Sequence, residues 1–525
     1  MLKKIFSNKV WLIFIFYFAF HAFLLNVNYA EWGDSYRILR ASEFIRKGTY
    51  PEDEKRVPMY SLLLAARPGG IDQVVWGRVV MLGLSVALMY VFYLYIKEFK
   101  FGERVEQLSL WLLALNPIFL YWSIRIMADV PFTLLVMIVF YAYKKWENEL
   151  LWWKSVILGG LLGLGVLTRF EGYILGFSLG LALILKTFIA GNDSKKEKID
   201  KEKMFKLIKT LTAILLGVVI VTISWFLTKN PFSSTYFEEP GGRVYDLNMI
   251  YTYLVSSMYI FGFTSACYFF IKHFSKAKEF LVKNIFLTIF VFIELVLCLV
   301  WPAAIPRLFV PVIPFLVFLL AYLVNEEFLE KEKASTKDIL ILLSIFFFYV
   351  GSQYILKLQF LVLIKPLWIA VLLIQPLIIY AIVFKKYRLF KVGLILSMLV
   401  WSLSTIYLHK DIFKAVVEAN KYAVRNLEGK VVHNDVSSVS DWYLNQKSSS
   451  DKVFGEYLDM DSKMGRDYYV LVKEEVNYIM ITNEHNTDLE FSADEKEYLE
   501  EIEEFRYTIR DKEFFTKIVK FIPYD

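Results

Sequence analysis

Long runs of apolar residues, separated by shorter polar segments, follow one another along most of the chain. A bilayer core of about 30 Å requires about 20 apolar residues of helix, and about 17 to 25 is the usual range. Eight runs fit this length without interruption, and four more contain a charge or are short. One of these four, Ser155 to Ile189, divides into two short helices at Thr168 to Gly172. The pattern therefore predicts a polytopic α-helical membrane protein with about thirteen transmembrane helices. The uninterrupted runs are Val10 to Ala30, Val79 to Ile96, Gln107 to Ile124, Thr210 to Thr228, Leu247 to Ile271, Leu308 to Asn325, Ile339 to Leu356 and Val392 to Leu408, and the others are Ile126 to Tyr143, Ser155 to Ile189, Asn284 to Ile305 and Leu358 to Phe384.

Lysine and arginine are concentrated in every second polar segment, which is typical of cytoplasmic loops. Lys3, Lys4 and Lys9 precede the first apolar run, so we expect the N-terminus in the cytoplasm. The predicted location is the plasma membrane, crossed several times. The segments expected on the external side are 31–77, 125–129, 168–172, 229–246, 301–307 and the chain after residue 409.

The last segment, residues 409–525, has the size of one small domain. Strand-like runs and charged helical stretches alternate in it, which predicts an α/β or α+β domain outside the membrane. We therefore predict two domains: a transmembrane domain of residues 1–408, whose external loop 31–77 carries amphipathic helices, and an external domain of residues 409–525. The strand-like runs are Lys430 to His433, Tyr468 to Lys473, Val476 to Thr482 and Phe514 to Phe521, and the main helical stretch is Ala493 to Phe505.

Composition and charge support this division. Hydrophobic residues make up 57% of the 525 positions, charged residues 21%, and the mean hydropathy is +0.46, which excludes an ordinary soluble enzyme. The predicted external domain has 16 Lys and Arg against 25 Asp and Glu, whereas the remainder has 43 against 28, so the two parts face different surroundings. Cys267 and Cys298 both lie in apolar runs, which excludes a disulfide framework.

Two acidic residues, Glu31 and Asp34, directly follow the first predicted span. Between Ser35 and Lys47 the apolar spacing predicts a surface helix that is too polar to cross a membrane. Gly48 is placed to end this helix, and Pro58 can open a second one. A carboxylate at this position could take a proton from a hydroxyl nucleophile. Alternatively, Asp34 only caps the helix.

Further charges recur singly in or near the other external loops. Asp129 precedes Pro131 where a helix is predicted to begin, so it could serve only as a first-turn acid, and Arg125 lies just before it. Arg169 and Arg307 could grip phosphate oxygens, because the guanidinium fork binds phosphate with two hydrogen bonds. The alternative is that these arginines reach from span ends to the membrane interface, with Glu171 neutralising Arg169 locally.

Other motifs are missing or weak. His21 and His433 have no partner at ligand spacing, so no metal site is predicted from histidines. Glu294 and Lys365 lie inside predicted spans and could be functional or paired with each other. The chain contains no Walker loop and no dinucleotide-binding fingerprint, so neither nucleotide consumption nor nucleic-acid binding is expected.

Four motifs resemble the GT-C glycosyltransferases that use polyprenyl-phosphate sugars, including protein O-mannosyltransferases and aminoarabinose transferases. They are E-W-G-D followed by G-T-Y-P and R-V-P-M-Y-S-L-L-L; R-I-M-A-D-V-P-F; G-V-L-T-R-F-E-G; and R-L-F-V-P-V-I-P-F. Their order along residues 10–408 and their shared external side carry the resemblance. The first-loop acids of that family are usually adjacent or one residue apart, whereas Trp32 and Gly33 separate Glu31 from Asp34 here. It therefore stays open which of the two is the base, and the resemblance favours Asp34.

The resemblance implies a membrane glycosyltransferase of the cell envelope. The enzyme would move a monosaccharide from a polyprenyl- or dolichyl-phosphate donor to a hydroxyl of a protein, lipid or glycan acceptor and would invert the anomeric centre. Mannose and glucose are the first candidates for this sugar. Asp129 would be the second-loop acid, and Arg169, Arg307 and Arg125 would lie near the donor phosphate. No cofactor is implied, although a divalent cation between Asp34 and Asp129 is the alternative. The competing interpretations are a flippase or transporter of lipid-linked glycans, and a receptor without catalysis.

Overall fold

The computed structural model describes residues 9–189, 201–228, 264–300, 306–330, 332–356, 365–447, 452–458, 467–484, 492, 494–509 and 512–524. The predicted external segment 229–246 and most of the predicted span Leu247 to Ile271 lie outside these residues. The α-helices, numbered α1 to α20, are Lys9–Phe23, Gly33–Arg46, Met59–Ala65, Gln73–Lys97, Glu103–Ala114, Pro117–Ser123, Asp129–Trp146, Trp152–Val166, Gly172–Ile189, Lys201–Phe226, Thr264–Lys272, Phe274–Lys283, Ile285–Val300, Ile313–Leu329, Thr336–Leu356, Lys365–Val383, Tyr387–His409, Lys414–Asn426, Val439–Asp441 and Tyr468–Lys473. The strands β1 to β5 are Gly429–His433, Val453–Tyr457, Tyr478–Thr482, Leu499–Ile509 and Lys512–Phe521.

Internal contacts divide the chain into two units. The first unit comprises residues 1–24, 55–60 and 78–405, and the second comprises 25–54, 61–77 and 406–525. Most of the external loop 31–77 thus groups with the C-terminal residues. The division into a transmembrane domain of residues 1–408 and an external domain of residues 409–525 stays a prediction.

The first unit is helical and strongly apolar. Three helical stretches among the described residues are long and apolar enough to cross a membrane: Gln73–Lys97, Lys201–Phe226, and Tyr387–Asn426, which comprises α17 and α18 and continues into the second unit. A fourth span results if Phe274–Lys283 and Ile285–Leu299, which meet at an angle of 106°, are counted together. Several other apolar helices have only 10 to 17 residues. The described helices therefore confirm a polytopic helical architecture, whereas the number thirteen stays a prediction.

Two helices of this unit approach each other closely through glycines. An added Cβ at Gly159 on α8 would overlap with the carbonyl oxygen of Ile214 on α10, and one at Gly217 on α10 would overlap with that of Val156 on α8. Small residues allow the two backbones to approach this closely. In a bilayer the hydrophobic effect contributes little to helix association, so van der Waals packing of this kind holds the helices together. Because α8 ends at Val166, this close packing also fixes the helix from which the loop 167–171 continues.

The second unit is built on a five-stranded sheet. The strand order is β2-β1-β3-β5-β4, in which β1 runs parallel to β2 and β3, while β5 is antiparallel to β3 and β4. One face packs on α18 through Ala419, Val431 and Ile518, and α20 covers the other through Leu471. The C-terminal sheet is thus present, with helices on both faces.

Two secondary-structure predictions for this part were wrong. Tyr468 to Lys473 is the helix α20 because Asp467 caps it by accepting from the backbone N–H of Tyr469 at 2.9 Å. Most of Ala493 to Phe505 belongs to β4 instead of a helix. Its acidic residues face basic residues on β5: Lys517 Nζ lies 3.1 Å from Glu501 and 3.6 Å from Glu504. Cross-strand ion pairs of this kind stabilise a strand whose composition alone favours a helix.

Candidate functional site

In the first unit, Asp129 and Arg169 form an ion pair with Glu171 as a third member. Asp129 begins α7, and its side chain is 1% exposed. Arg169 lies in the turn between α8 and α9 and donates Nη1 to Asp129 Oδ1 and Nη2 to Glu171 Oε1. Its Nε also donates to Glu171 Oε1 at 3.0 Å. The guanidinium is therefore held in one orientation by two carboxylates, and we call these three residues the arginine cluster.

Burial and the neighbouring charges shift the pKa values in the arginine cluster in opposite directions. Burial lowers the pKa of Arg169, but Asp129 and Glu171 outweigh it and raise that pKa well above the usual value. Burial likewise raises the pKa of Glu171, but the Arg169 guanidinium outweighs it and holds that pKa below its usual range. Both groups are therefore charged at neutral pH. Among the described residues, no group hydrogen bonds to Asp129 Oδ2, which leaves one buried carboxylate oxygen for a further donor.

Arg307 and Glu294 both interact electrostatically with members of the arginine cluster. Arg307 lies in the 3-10 turn Pro306–Phe309, which packs on α6 and α13, and its positive charge lowers the pKa of Glu171. Glu294 on α13 is 1% exposed and interacts electrostatically with both Arg169 and Glu171. The sequence predicts Glu294 only as a functional charge within a span or as a partner of Lys365. Its association with the cluster depends on the rotation of α13 about its axis, which an apolar run with a single charge does not determine. The side chain of Lys365, its suggested partner, lies outside the described part.

Arg125 is placed differently from the other two arginines. It is 1% exposed, and its guanidinium lies over the ring of Tyr121 at 5.3 Å from the centroid. Cation–π contacts of this kind stabilise a guanidinium away from water. A buried arginine in the turn before α7 fits a role inside the protein better than one at a lipid interface.

In the second unit, Glu31 and Asp34 lie at the start of α2, as the sequence predicted for this surface helix. The N-cap position is occupied by Trp32, and Asp34 is in the first turn, so Asp34 does not hold the capping position. Glu31 is fully buried, whereas Asp34 is partly exposed. The predicted stop is also present, because Gly48 has a left-handed φ of 79° just after the helix. Among the two acids, Asp34 is the one accessible to a substrate.

Further ion pairs fix the chain that follows α2. Arg40 donates to both carboxylate oxygens of Asp53 at 2.7 and 2.5 Å, and Arg67 Nη2 lies 3.3 Å from Glu43. These pairs attach the loop after Gly48 and the segment after α3 to the polar face of α2. The second unit thus holds the two acids on an ordered helix.

His21 and His433 each lie beside polar groups. His21 Nε2 lies 2.9 Å from the carbonyl oxygen of Ser123, and Ser85 Oγ lies 3.3 Å from its Nδ1. His433, fully buried, lies 3.3 Å from the carboxylate of Asp441. Neither belongs to a cluster of potential metal ligands among the described residues.

One cluster that the sequence analysis did not identify surrounds Glu327. Ligand atoms of His273, Glu327 and Glu330 lie within 4.8 Å of one another in the described part of the chain. However, buried Glu327 already accepts from His273 at 2.8 Å, from Lys272 and from Lys385. Ammonium groups beside the carboxylate repel a metal ion, so this is an ion-pair cluster joining helix ends. These charges also hold the pKa of Glu327, which burial would raise, at about 2.

Five of the six predicted site residues thus fall into two groups, and Arg125 is the sixth. Asp129 and Arg169 are in direct contact, with Arg307 close enough to act on their partner Glu171. Glu31 and Asp34 lie three residues apart on one helix start in the other unit. The guanidinium groups of the first group can donate hydrogen bonds to an anion, and the carboxylates of the second can accept a proton.

Comparison with known proteins gives one family match and several fold matches. Residues 61–225 match the family described as dolichyl-phosphate-mannose-protein mannosyltransferase. No curated protein matches the chain. The matched segment contains Asp129 and Arg169.

The fold matches extend over nearly the whole chain. ArnT from Cupriavidus metallidurans, solved with undecaprenyl phosphate bound, covers 96% of this chain and 97% of its own, with 12% identity and a TM-score of 0.60. The archaeal oligosaccharyltransferase AglB from Archaeoglobus fulgidus, solved with an inhibitory peptide and a dolichol-phosphate, covers 91% of this chain and 70% of its own, with 11% identity and a TM-score of 0.52. At such low identity these matches show a shared fold.

Proposed function

We propose that this chain is a glycosyltransferase of the GT-C superfamily and transfers one monosaccharide from a polyprenyl-phosphate donor to an acceptor hydroxyl on the external face of the plasma membrane. The first candidates for the sugar are mannose and glucose, and for the acceptor a protein, a lipid or a glycan. The observation that carries the proposal is the buried arginine cluster, in which Asp129 and Glu171 fix a guanidinium at a loop between two apolar helices. The family match over residues 61–225 supports the same chemistry.

Arg169 and Arg307 stabilise the donor phosphate in this mechanism, and Arg125 supports them from the turn before α7. A polyprenyl phosphate gains negative charge as it leaves the sugar. Fixed positive groups stabilise that charge more in the transition state than in the ground state, and they do so most strongly where water is excluded. Asp129 keeps Arg169 oriented. The lipid phosphates bound by the structural relatives support a donor of this class.

Asp34 is the general base. It takes the proton of the acceptor hydroxyl while the hydroxyl oxygen forms a bond to the anomeric carbon. The bond from that carbon to the phosphate oxygen breaks, and its electron pair leaves with the polyprenyl phosphate. A single displacement inverts the anomeric centre. The partial exposure of Asp34 favours it over buried Glu31 for this role.

Asp34→Asn tests the base directly. General-base catalysis contributes typically about 10²- to 10⁴-fold, so kcat should fall by that factor while the stability of the protein stays unchanged. The assay uses purified protein, radiolabelled polyprenyl-phosphate mannose or glucose, and a membrane extract as acceptor. Glu31→Gln is the matched control and should keep most of the activity. Near-normal transfer by Asp34→Asn would remove Asp34 from the role.

The same assay tests the alternative of a flippase. A flippase would move label across the bilayer of a proteoliposome without forming a glycosidic bond.

Arginines supply the positive charge in the proposed mechanism, so transfer should continue in EDTA. Loss of transfer in EDTA with recovery in Mg²⁺ or Mn²⁺ would instead indicate a divalent cation.

A further inference from the structure

The first turn of α2 lies directly against a loop of the C-terminal sheet, within the second unit. This loop, residues 434–440, follows the carboxyl end of β1, and we call it the serine loop. An added Cβ at Gly33 would overlap with the carbonyl oxygen and carbonyl carbon of Ser437. The two backbones are therefore in contact, and only glycine fits at position 33. Asp34 is the next residue along the chain.

A hydrogen bond joins the same face of α2 to the serine loop one turn further along, since residues four apart share a helix face. Arg37 Nε donates to Ser438 Oγ at 2.9 Å. The ring of Tyr36 also contacts Trp442, just beyond the serine loop, with 6.0 Å between the ring centroids. Along the chain, Asp34 thus follows one residue that contacts the serine loop and precedes another, within the first turn of α2.

The serine loop is itself rigidly held. Asp435 is 2% exposed and accepts from the backbone N–H of Ser437 at 2.8 Å, from the Ser437 hydroxyl, and from the backbone N–H of Ser440 at 2.8 Å. Ser438 has a left-handed φ of 63°, which costs energy for a residue other than glycine. A strained residue that presents its hydroxyl to Arg37 suggests that the loop is shaped for this contact.

We propose that the serine loop positions Asp34 for catalysis, so that the C-terminal sheet takes part in sugar transfer by orienting the base. This inference rests on the proposed function of Asp34. Gly33, Arg37 and Ser438 act through Asp34 and are positioning residues. A carboxylate displaced by about 1 Å can reduce the rate about 100-fold, because proton transfer requires hydrogen-bond geometry.

The first variant is Gly33→Ala, which forces α2 away from Ser437. We expect kcat to fall about 100-fold, while KM for the donor stays within about twofold, because the donor contacts are unchanged. Hydrogen–deuterium exchange of the amides in 34–46 should become faster. Gly69→Ala is the control, since Gly69 lies in the same unit, has an ordinary φ and has open space around its Cβ position. The control should match the wild type in both measurements.

A second pair of variants separates positioning from folding. Ser438→Gly removes the hydroxyl but relieves the left-handed backbone, so stability should be kept while kcat falls about tenfold, as for a lost hydrogen bond to a charged group. Ser438→Asn supplies a side-chain oxygen and tolerates the same φ, so it should restore much of kcat.

The outcomes are distinguishable. Faster exchange in 34–46 together with reduced kcat in Gly33→Ala and Ser438→Gly, and rescue by Ser438→Asn, supports the proposal. Unchanged exchange, or changed exchange with kcat equal to that of Gly69→Ala, overturns it. If the wild-type protein transfers no sugar while exchange still responds to the variants, the proposed function fails and the physical coupling of the serine loop to α2 stands.

Discussion

Arginine–carboxylate pairs occur in both units of the molecule, but in different surroundings. In the first unit, the side chains of Arg169 and Asp129 are 14% and 1% exposed. In the second unit, those of Arg40 and Asp53 are 30% and 64% exposed. The same chemical pair is therefore removed from water in one case and largely solvated in the other.

This difference indicates different roles. Removing two charges from water costs several kcal/mol per ion, and apolar residues of similar volume are often at least as stabilising. Burying the arginine cluster is thus a poor way to gain stability, but it holds one guanidinium in a fixed orientation, which suits hydrogen bonding to a phosphate. An exposed pair contributes about 0 to 1 kcal/mol and serves to attach a loop. The arginine cluster fits chemistry, and the Arg40–Asp53 pair fits local anchoring.

The largest effect that separates the two roles is expected from Arg169→Ala. The substitution leaves Asp129 and Glu171 buried beside each other without their cation, which should reduce the free energy of unfolding by about 3–5 kcal/mol. The transition state also loses a fixed positive group, so transfer per folded molecule should fall about 10²- to 10³-fold. Unfolding in mixed micelles and the radiolabel assay measure the two effects on the same sample.

Glu327→Gln is the control for that experiment. It removes the charge of another buried carboxylate of the same unit, which Lys272, His273 and Lys385 contact. A similar loss of stability is expected, since cations are left without their partner. Transfer per folded molecule should be kept. An equal loss of transfer would show that the effect of Arg169→Ala comes from instability instead of phosphate binding.

Asp129→Asn should have a smaller effect of the same kind. The amide keeps the shape and one acceptor oxygen, and Arg169 keeps Glu171 as a charged partner. We expect a loss of about 1–3 kcal/mol in unfolding free energy, and about a tenfold loss of transfer because Arg169 is less well oriented. If Asp129→Asn instead abolished transfer without reducing stability, Asp129 would be the base, and Asp34 would have another role.

The helices and the residue types of the site could be predicted from the sequence because their signals are local. The run Val79 to Ile96, for example, lies within the helix Gln73–Lys97. Arg169 and Asp129 are predicted on the same side of the membrane, because loops rich in lysine and arginine alternate with the other loops and indicate the cytoplasmic side. By contrast, the charged composition of β4 predicts a helix, whereas its pairing with β5, a long-range property, makes it a strand. The contact of Gly33 with Ser437 joins segments at opposite ends of the chain, and nothing in either segment indicates the other.

The smallest effect is expected from Asp53→Asn, which tests the solvated side of the comparison. The hydrogen bonds from Arg40 hold the pKa of Asp53 below its usual range. Because the folded pKa is lowered, the pair contributes stability above the unfolded pKa of about 3.9 and loses it as the pH falls through the folded value. Wild type should therefore exceed Asp53→Asn by up to about 1 kcal/mol at neutral pH, and the difference should shrink below about pH 4. It should also shrink in about 1 M salt, where the screening length is about 3 Å. A difference that persists at low pH and high salt would mean that Asp53 acts through packing, and the contrast between the two units would then rest on the arginine cluster alone.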